Sequence, residues 1–152
     1  MTDAASLNIH ATCVALDVGD AWRAVLLRGD SGAGKSDVAI RLIDQGARLV
    51  ADDRTELTAH AGQVMARPPA TLAGLLEARG LGVLRLPADR LLGSAPVALV
   101  VDLVGAGRDV ERLPEPEVEN VLGIDLPRIR LAAFDASTTA KIRLALRASR
   151  AH

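Results

Sequence analysis

The residues best suited to chemistry are Gly29-Asp30-Ser31-Gly32-Ala33-Gly34-Lys35-Ser36, a complete G-x-x-x-x-G-K-[ST]. Glycines let the main chain curl so that successive N–H groups converge on one point. A helix starting at that point adds its positive dipole end. Such a concavity takes phosphate oxygens. Lys35 has the reach for the β- and γ-phosphates of a nucleotide, and the Ser36 hydroxyl suits Mg²⁺. All eight residues from Gly29 to Ser36 are therefore candidates for binding nucleotide.

A site of this kind needs an acidic residue at a strand end. Two segments compete on equal terms. Leu49-Val50-Ala51-Asp52-Asp53 follows the loop by one helix, and Val97 to Val101 followed by Asp102 has the longer apolar run. The adjacent pair offers one further possibility. Asp52 could ligate a metal while Asp53, beside a like charge, acts as general base.

These groups need a scaffold. Ile9 to Val18 reads as a strand, residues 1–8 as a frayed end, and Trp22 to Leu27 as a second, strongly apolar strand. Lys35 to Gln45 places Val38, Ala39, Leu42 and Ile43 on one helical face, closed by Gly46. Leu49-Val50-Ala51 is a short buried strand, and Thr55 to Ala66 a hairpin. Pro68-Pro69 breaks the chain before an expected short helix, Thr71 to Glu77. A tight turn at Arg79-Gly80-Leu81-Gly82 leads into a strand from Val83 to Leu86. Val97 to Val101 reads as a strand covered on both faces. Gly105 to Pro116 is loop, Ile129 to Leu131 an edge strand, and Ser137 a cap for a helix from Thr138 to Ser149. Alternating strands and helices make this an α/β domain.

The 152 residues, 49% apolar and 24% charged, suit one domain with a real core and exclude disorder as the main description. A net charge of −1 gives no electrostatic grip on nucleic acid or anionic lipid. Trp22 and Phe134 are the only aromatic side chains, so a nucleic-acid surface that stacks successive bases is not expected. Cys13 stands alone, which excludes an intrachain disulfide and a thiolate zinc cage and suits a reducing, cytoplasmic setting. The start is polar, unlike a signal peptide, and the apolar run from Ala95 to Val101 is too short to span a bilayer.

Three motifs in order resemble the HPr kinase/phosphorylase family: Gly29 to Ser36, then Ala51-Asp52-Asp53-Arg54, then Leu76-Glu77-Ala78-Arg79-Gly80-Leu81-Gly82. The similarity runs from about Ile9 to Pro116. It implies a P-loop kinase domain with a mixed, largely covered central sheet, related to phosphoenolpyruvate carboxykinase, in the short form that carries the catalytic domain alone. It implies ATP and Mg²⁺ as cofactors, a serine of the phosphocarrier HPr as acceptor, and a hexameric assembly. Carried over by position, Lys35 neutralises the transferring phosphoryl group, and Ser36 with Glu77 holds Mg²⁺. Asp53 takes the serine proton, His10 orients Asp53, and Arg112 stabilises developing phosphate charge. The family's basic V-K-x-G-R-N-like stretch, tied to dephosphorylation, has no counterpart in Ala132 to Ser137. Lys141, Arg143, Arg147 and Arg150 make the last helix basic, either as a solvated face or as a docking surface for an acidic partner. Two other classes fit the loop: a small-molecule kinase, with Gly105 to Pro116 as its lid, and a non-catalytic nucleotide-binding regulator.

Overall fold

The computed structural model describes residues 5–148. The first half comprises β1 (Ser6–His10), β2 (Thr12–Asp17), β3 (Trp22–Arg28), α1 (Lys35–Asp44) and β4 (Arg48–Ala51). Then come β5 (Arg54–His60), β6 (Gln63–Arg67), β7 (Leu75–Ala78), β8 (Gly82–Arg85) and β9 (Ala95–Val104). The chain ends in β10 (Glu117–Val121), β11 (Ile124–Ala132) and α2 (Thr138–Arg147).

Nine strands share one mixed sheet, in the order β1-β5-β6-β9-β3-β2-β4, with the β10–β11 hairpin joined to it through β9. β9 is where the sheet divides. Its first residues pair antiparallel with β6, its last pair parallel with β11, and β3 runs parallel along its other side. Strand alternation sorts the side chains onto two faces. Val14, Leu16, Val25, Leu27, Val101 and Leu103 pack with Val38 and Leu42 of α1 and Ile142 of α2. Cys13, Ala15, Ala24, Leu26 and Val100 pack instead with Leu57, Val64, Val121 and Leu126. Coverage of both faces explains why the central strands read as unbroken apolar runs. Each fully buried Leu or Val stabilises the fold by roughly 1.5–3 kcal/mol. The three parallel strands β3, β9 and β11 end at one edge, where ligands of open α/β sheets bind.

Several elements differ from expectation. Ser6 to Asn8 do not fray: they pair with Thr58 to Glu56 as an edge strand. The single strand expected from Ile9 to Val18 is two, broken at Ala11, whose N–H donates to the Asp53 carbonyl (3.1 Å). The helix expected at Thr71 to Glu77 is one 3₁₀ turn at Ala70–Leu72 followed by β7. Gly74 takes a φ of 79° there, and buried Leu76 and Ala78 alternate around exposed Glu77, a period of two that belongs to a strand. Ile129 to Leu131 are not at an edge, because β11 lies between β9 and β10. Ser137 makes no side-chain cap, and the neighbouring Thr138 hydroxyl bonds the Ala132 carbonyl instead. α2 ends at Arg147, and the expected positions Ser149 and Arg150 lie outside the described residues.

Candidate functional site

β3 delivers the chain from the core directly into the Gly29–Gly34 turn, and α1 begins at Lys35. Gly32 and Gly34 have φ of 85° and 101°, values that a Cβ disfavours. Gly34 has a second reason to be glycine: an added Cβ would sit 2.8 Å from Ala133 Cβ and 2.9 Å from Phe134 Cζ. Lys35 is buried at 7% exposure, and its ammonium donates to the carbonyls of Gly29 (2.7 Å) and Asp30 (3.1 Å). A buried charge must be satisfied in this way. The result is a cationic head held at the turn beside α1's N-terminus.

Asp52 and Asp53 fill the two-residue jog where β4, paired with β2, gives way to β5, paired with β1. The two carboxylates have opposite environments. Buried Asp52 accepts through Oδ1 from the hydroxyls of Ser36 (2.8 Å) and Thr12 (2.8 Å), and through Oδ2 from the Glu77 N–H (2.9 Å). It therefore ties the phosphate loop, β2 and β7 to one point. Asp53 sits in the left-handed region at φ 67°, which aspartate tolerates better than most residues, and its side chain reaches the cleft. His10 Nε2 lies 3.0 Å from Asp53 Oδ1.

His10, Ser31, Gly32, Gly34, Lys35, Ser36, Asp53 and Glu77 from the sequence reading line one open cleft of about 350 Å³, with Asp37, Arg79 and Phe134. Gly29, Asp30, Ala33 and Asp52 adjoin these residues in the chain without lining the cleft, and two further candidates lie elsewhere. Asp102 receives a bidentate pair from Arg28 (2.8 and 3.1 Å) and also faces Arg128 at 3.4 Å, so its oxygens are occupied in an ion network. Burial opposes the charge of Arg28, but the hydrogen bonds and charges of Asp102 and Glu119 outweigh it and raise the guanidinium pKa. This geometry favours the Asp52-Asp53 pair over Asp102. Arg112 is exposed and does not line the cleft. Its loop leaves β9 toward β10, where Glu111 and Pro114 border a separate hollow with Glu117 and Arg128.

Sequence reading passed over Phe134. The signal was available only in retrospect: one of two aromatic residues stands just beyond a strand parallel to β3. Of the basic residues on α2, Arg143 bonds Gln45 Oε1 and Arg147 bonds the Asp17 carbonyl (2.9 Å), so both serve the fold itself.

Among the described residues, no three His, Cys, Asp or Glu side chains form a ready metal cage. Mg²⁺ ordinarily keeps several waters and takes one or two carboxylates together with phosphate oxygens. A serine hydroxyl at the loop and the Glu77 carboxylate on the same cleft fit that habit.

A glycine turn between a buried parallel strand and a helix, with lysine and serine at the helix start, defines a P-loop nucleotide-binding domain. Within that class, the HPr Serine kinase C-terminal domain matches residues 3–148, and the chain belongs to that family. The HPr kinase/phosphorylase of Leptothrix cholodnii is 40% identical over 119 residues, 71% of this chain and 36% of that protein. The HPr kinase/phosphorylase of Clostridium tetani is 37% identical over 101 residues, 66% of this chain and 32% of that protein. The chain thus spans about a third of the length of these curated relatives. The solved Hpr(Ser) kinase/phosphatase of Coxiella burnetii matches with a TM-score of 0.76 at 26% identity, over 90% of this chain and 91% of that one. Among the described residues, no helix is long and apolar enough to cross a membrane.

Proposed function

We propose that the protein transfers the γ-phosphoryl group of ATP to a serine hydroxyl of the phosphocarrier HPr. The observation that carries this reading is the His10–Asp53 pair opening onto the same cleft as Lys35, Ser36 and Glu77. A P-loop alone binds phosphate and names no reaction. A carboxylate with an oriented oxygen beside it supplies the base that an alcohol acceptor requires. The names of the relatives supply the acceptor.

When bound, ATP with Mg²⁺ supplies the electrophilic phosphoryl group and most of its charge neutralisation. The turn's main-chain N–H groups and the Lys35 ammonium hold phosphate oxygens, while Ser36 and Glu77 hold the metal. Asp52 does not need to touch the metal, because its three donors let it fix Ser36 and Glu77 in place. Asp53 receives the serine proton at the carboxylate, and His10 keeps that carboxylate aimed. The proposed reaction is transfer to the serine; the resemblance ties dephosphorylation to a basic stretch that Ala132 to Ser137 do not match.

The test mixes the purified protein with labelled ATP, Mg²⁺ and HPr, alongside a panel of metabolites. Phosphoserine on HPr is expected. Label on a metabolite instead would make this a small-molecule kinase, and nucleotide binding with no transfer would make it a regulator.

A further inference from the structure

The cleft is lined by side chains of two chemical kinds. Lys35, Ser36, Asp53, Glu77 and Arg79 suit phosphates, metal and a reacting alcohol, but none offers a flat apolar surface. Phe134 does. It is the only phenyl ring in the protein, it lines the cleft, and it is 51% exposed.

Its position is built rather than incidental. The ring edge rests on Gly34, where a Cβ would come within 2.9 Å of Cζ. On α1, Arg41 donates to the carbonyls of Ala133 and Asp135, the residues on either side of Phe134, and is itself braced by Asp37 at 3.1 Å. The Thr138 hydroxyl holds the Ala132 carbonyl just upstream. Three side-chain bonds thus clamp a short loop whose central side chain is left half in solvent. That loop leaves β11, a strand parallel to β3 and separated from it only by β9, so its end and the phosphate turn share one edge of the sheet. A phenyl face held half in solvent beside a phosphate turn is a surface on which a planar aromatic group can stack.

We propose that Phe134 is the surface on which the nucleobase of the bound nucleotide stacks. The proposal rests on the nucleotide-binding reading of the turn and adds to it the residue that holds the base.

Calorimetry separates the two ideas by comparing ATP with inorganic tripolyphosphate, each with Mg²⁺, on the wild-type protein and on Phe134→Leu and Phe134→Ala. The leucine variant keeps apolar packing on Gly34 and removes only the aromatic face. Stacking predicts that both variants bind ATP roughly tenfold more weakly, while tripolyphosphate affinity stays within about twofold. Equal weakening of both ligands would make the ring a prop for Gly34 and overturn the proposal, as would unchanged ATP affinity in both variants. A wild-type protein that binds neither ligand would instead remove the phosphate-binding reading on which the proposal stands.

Discussion

His10 Nε2 lies 3.0 Å from Asp53 Oδ1, where the end of β1 meets the jog that leads from β4 into β5. The break at Ala11 and the jog at Asp52-Asp53 are joined by the Ala11 N–H to Asp53 carbonyl bond (3.1 Å). Both side chains are substantially exposed, at 41% and 66%, so the contact contributes little to stability. Its consequence is orientation: one carboxylate oxygen faces the imidazole.

Asp53→Asn keeps shape and hydrogen bonding but cannot take a proton. Transfer to protein serine is expected to fall by about 10²–10⁴, with ATP affinity within a factor of about three. His10→Ala leaves the base in place but unaimed, and a smaller loss of roughly tenfold is expected. Steady-state phosphorylation kinetics beside calorimetric ATP binding measure both. Undiminished turnover in Asp53→Asn takes Asp53 out of the mechanism.

Asp52 is expected to be a stability residue as much as a site residue. Asp52→Asn turns one accepting oxygen into an NH₂ group: facing the Glu77 N–H it leaves that donor unsatisfied, and facing the two hydroxyls it makes them accept and strands the protons they now donate. One unsatisfied buried donor costs about 2 kcal/mol, which lowers the melting temperature by roughly 4–8 °C for a chain of this size. Unchanged melting would show that the carboxylate form of this side chain adds nothing to stability.

The phosphate turn, the helix after it and the Asp52-Asp53 strand end were legible because each depends on local rules: glycine freedom, a 3.6-residue apolar period and a short apolar run. β7 was not. Pro68-Pro69 suggested a helix start, but Gly74 stops the turn after Ala70–Leu72, and β7 finds its pairing partner only in β8. The choice between Asp102 and the Asp52-Asp53 pair was equally out of reach. It turns on Arg28 and Arg128, which stand 74 and 26 positions away from Asp102 and meet it only once β3, β9 and β11 are side by side. Phe134 was hidden for the same reason, since nothing in a single phenylalanine reports that a glycine a hundred residues earlier lies beneath it.

The acid side of the stability profile should carry the mark of Glu117. Hydrogen bonding from Arg130, aided by the charge of Arg128, holds its carboxyl pKa below the ordinary value. A depressed carboxyl pKa stabilises the folded state above the unfolded value, and that contribution is lost as pH falls through the folded one. Glu117→Gln removes the titration, so its melting temperature should fall less than that of the wild type as pH is lowered through the carboxylate range. Parallel curves for the two proteins would mean that these contacts do not persist in water. Because the site is exposed, added salt should shrink the difference.

Asp102 gives the sharpest contrast between a carboxylate that supports the sheet and one that serves the cleft. It bridges Arg28 at the end of β3 and Arg128 on β11, and Arg28 in turn pairs with Glu119 of β10. Asp102→Asn removes the charge between two partly buried guanidinium groups without changing volume. Full burial would make such a loss worth 3–5 kcal/mol, and partial solvent access reduces it to about 1–2 kcal/mol. The expected result is a lower melting temperature with the Mg²⁺ dependence of ATP binding unchanged. Glu77→Gln should do the reverse, because the Glu77 carboxylate is exposed on the cleft and only its main-chain N–H serves the fold. A Mg²⁺ titration shifted by Asp102→Asn and untouched by Glu77→Gln would exchange the roles of the two acids.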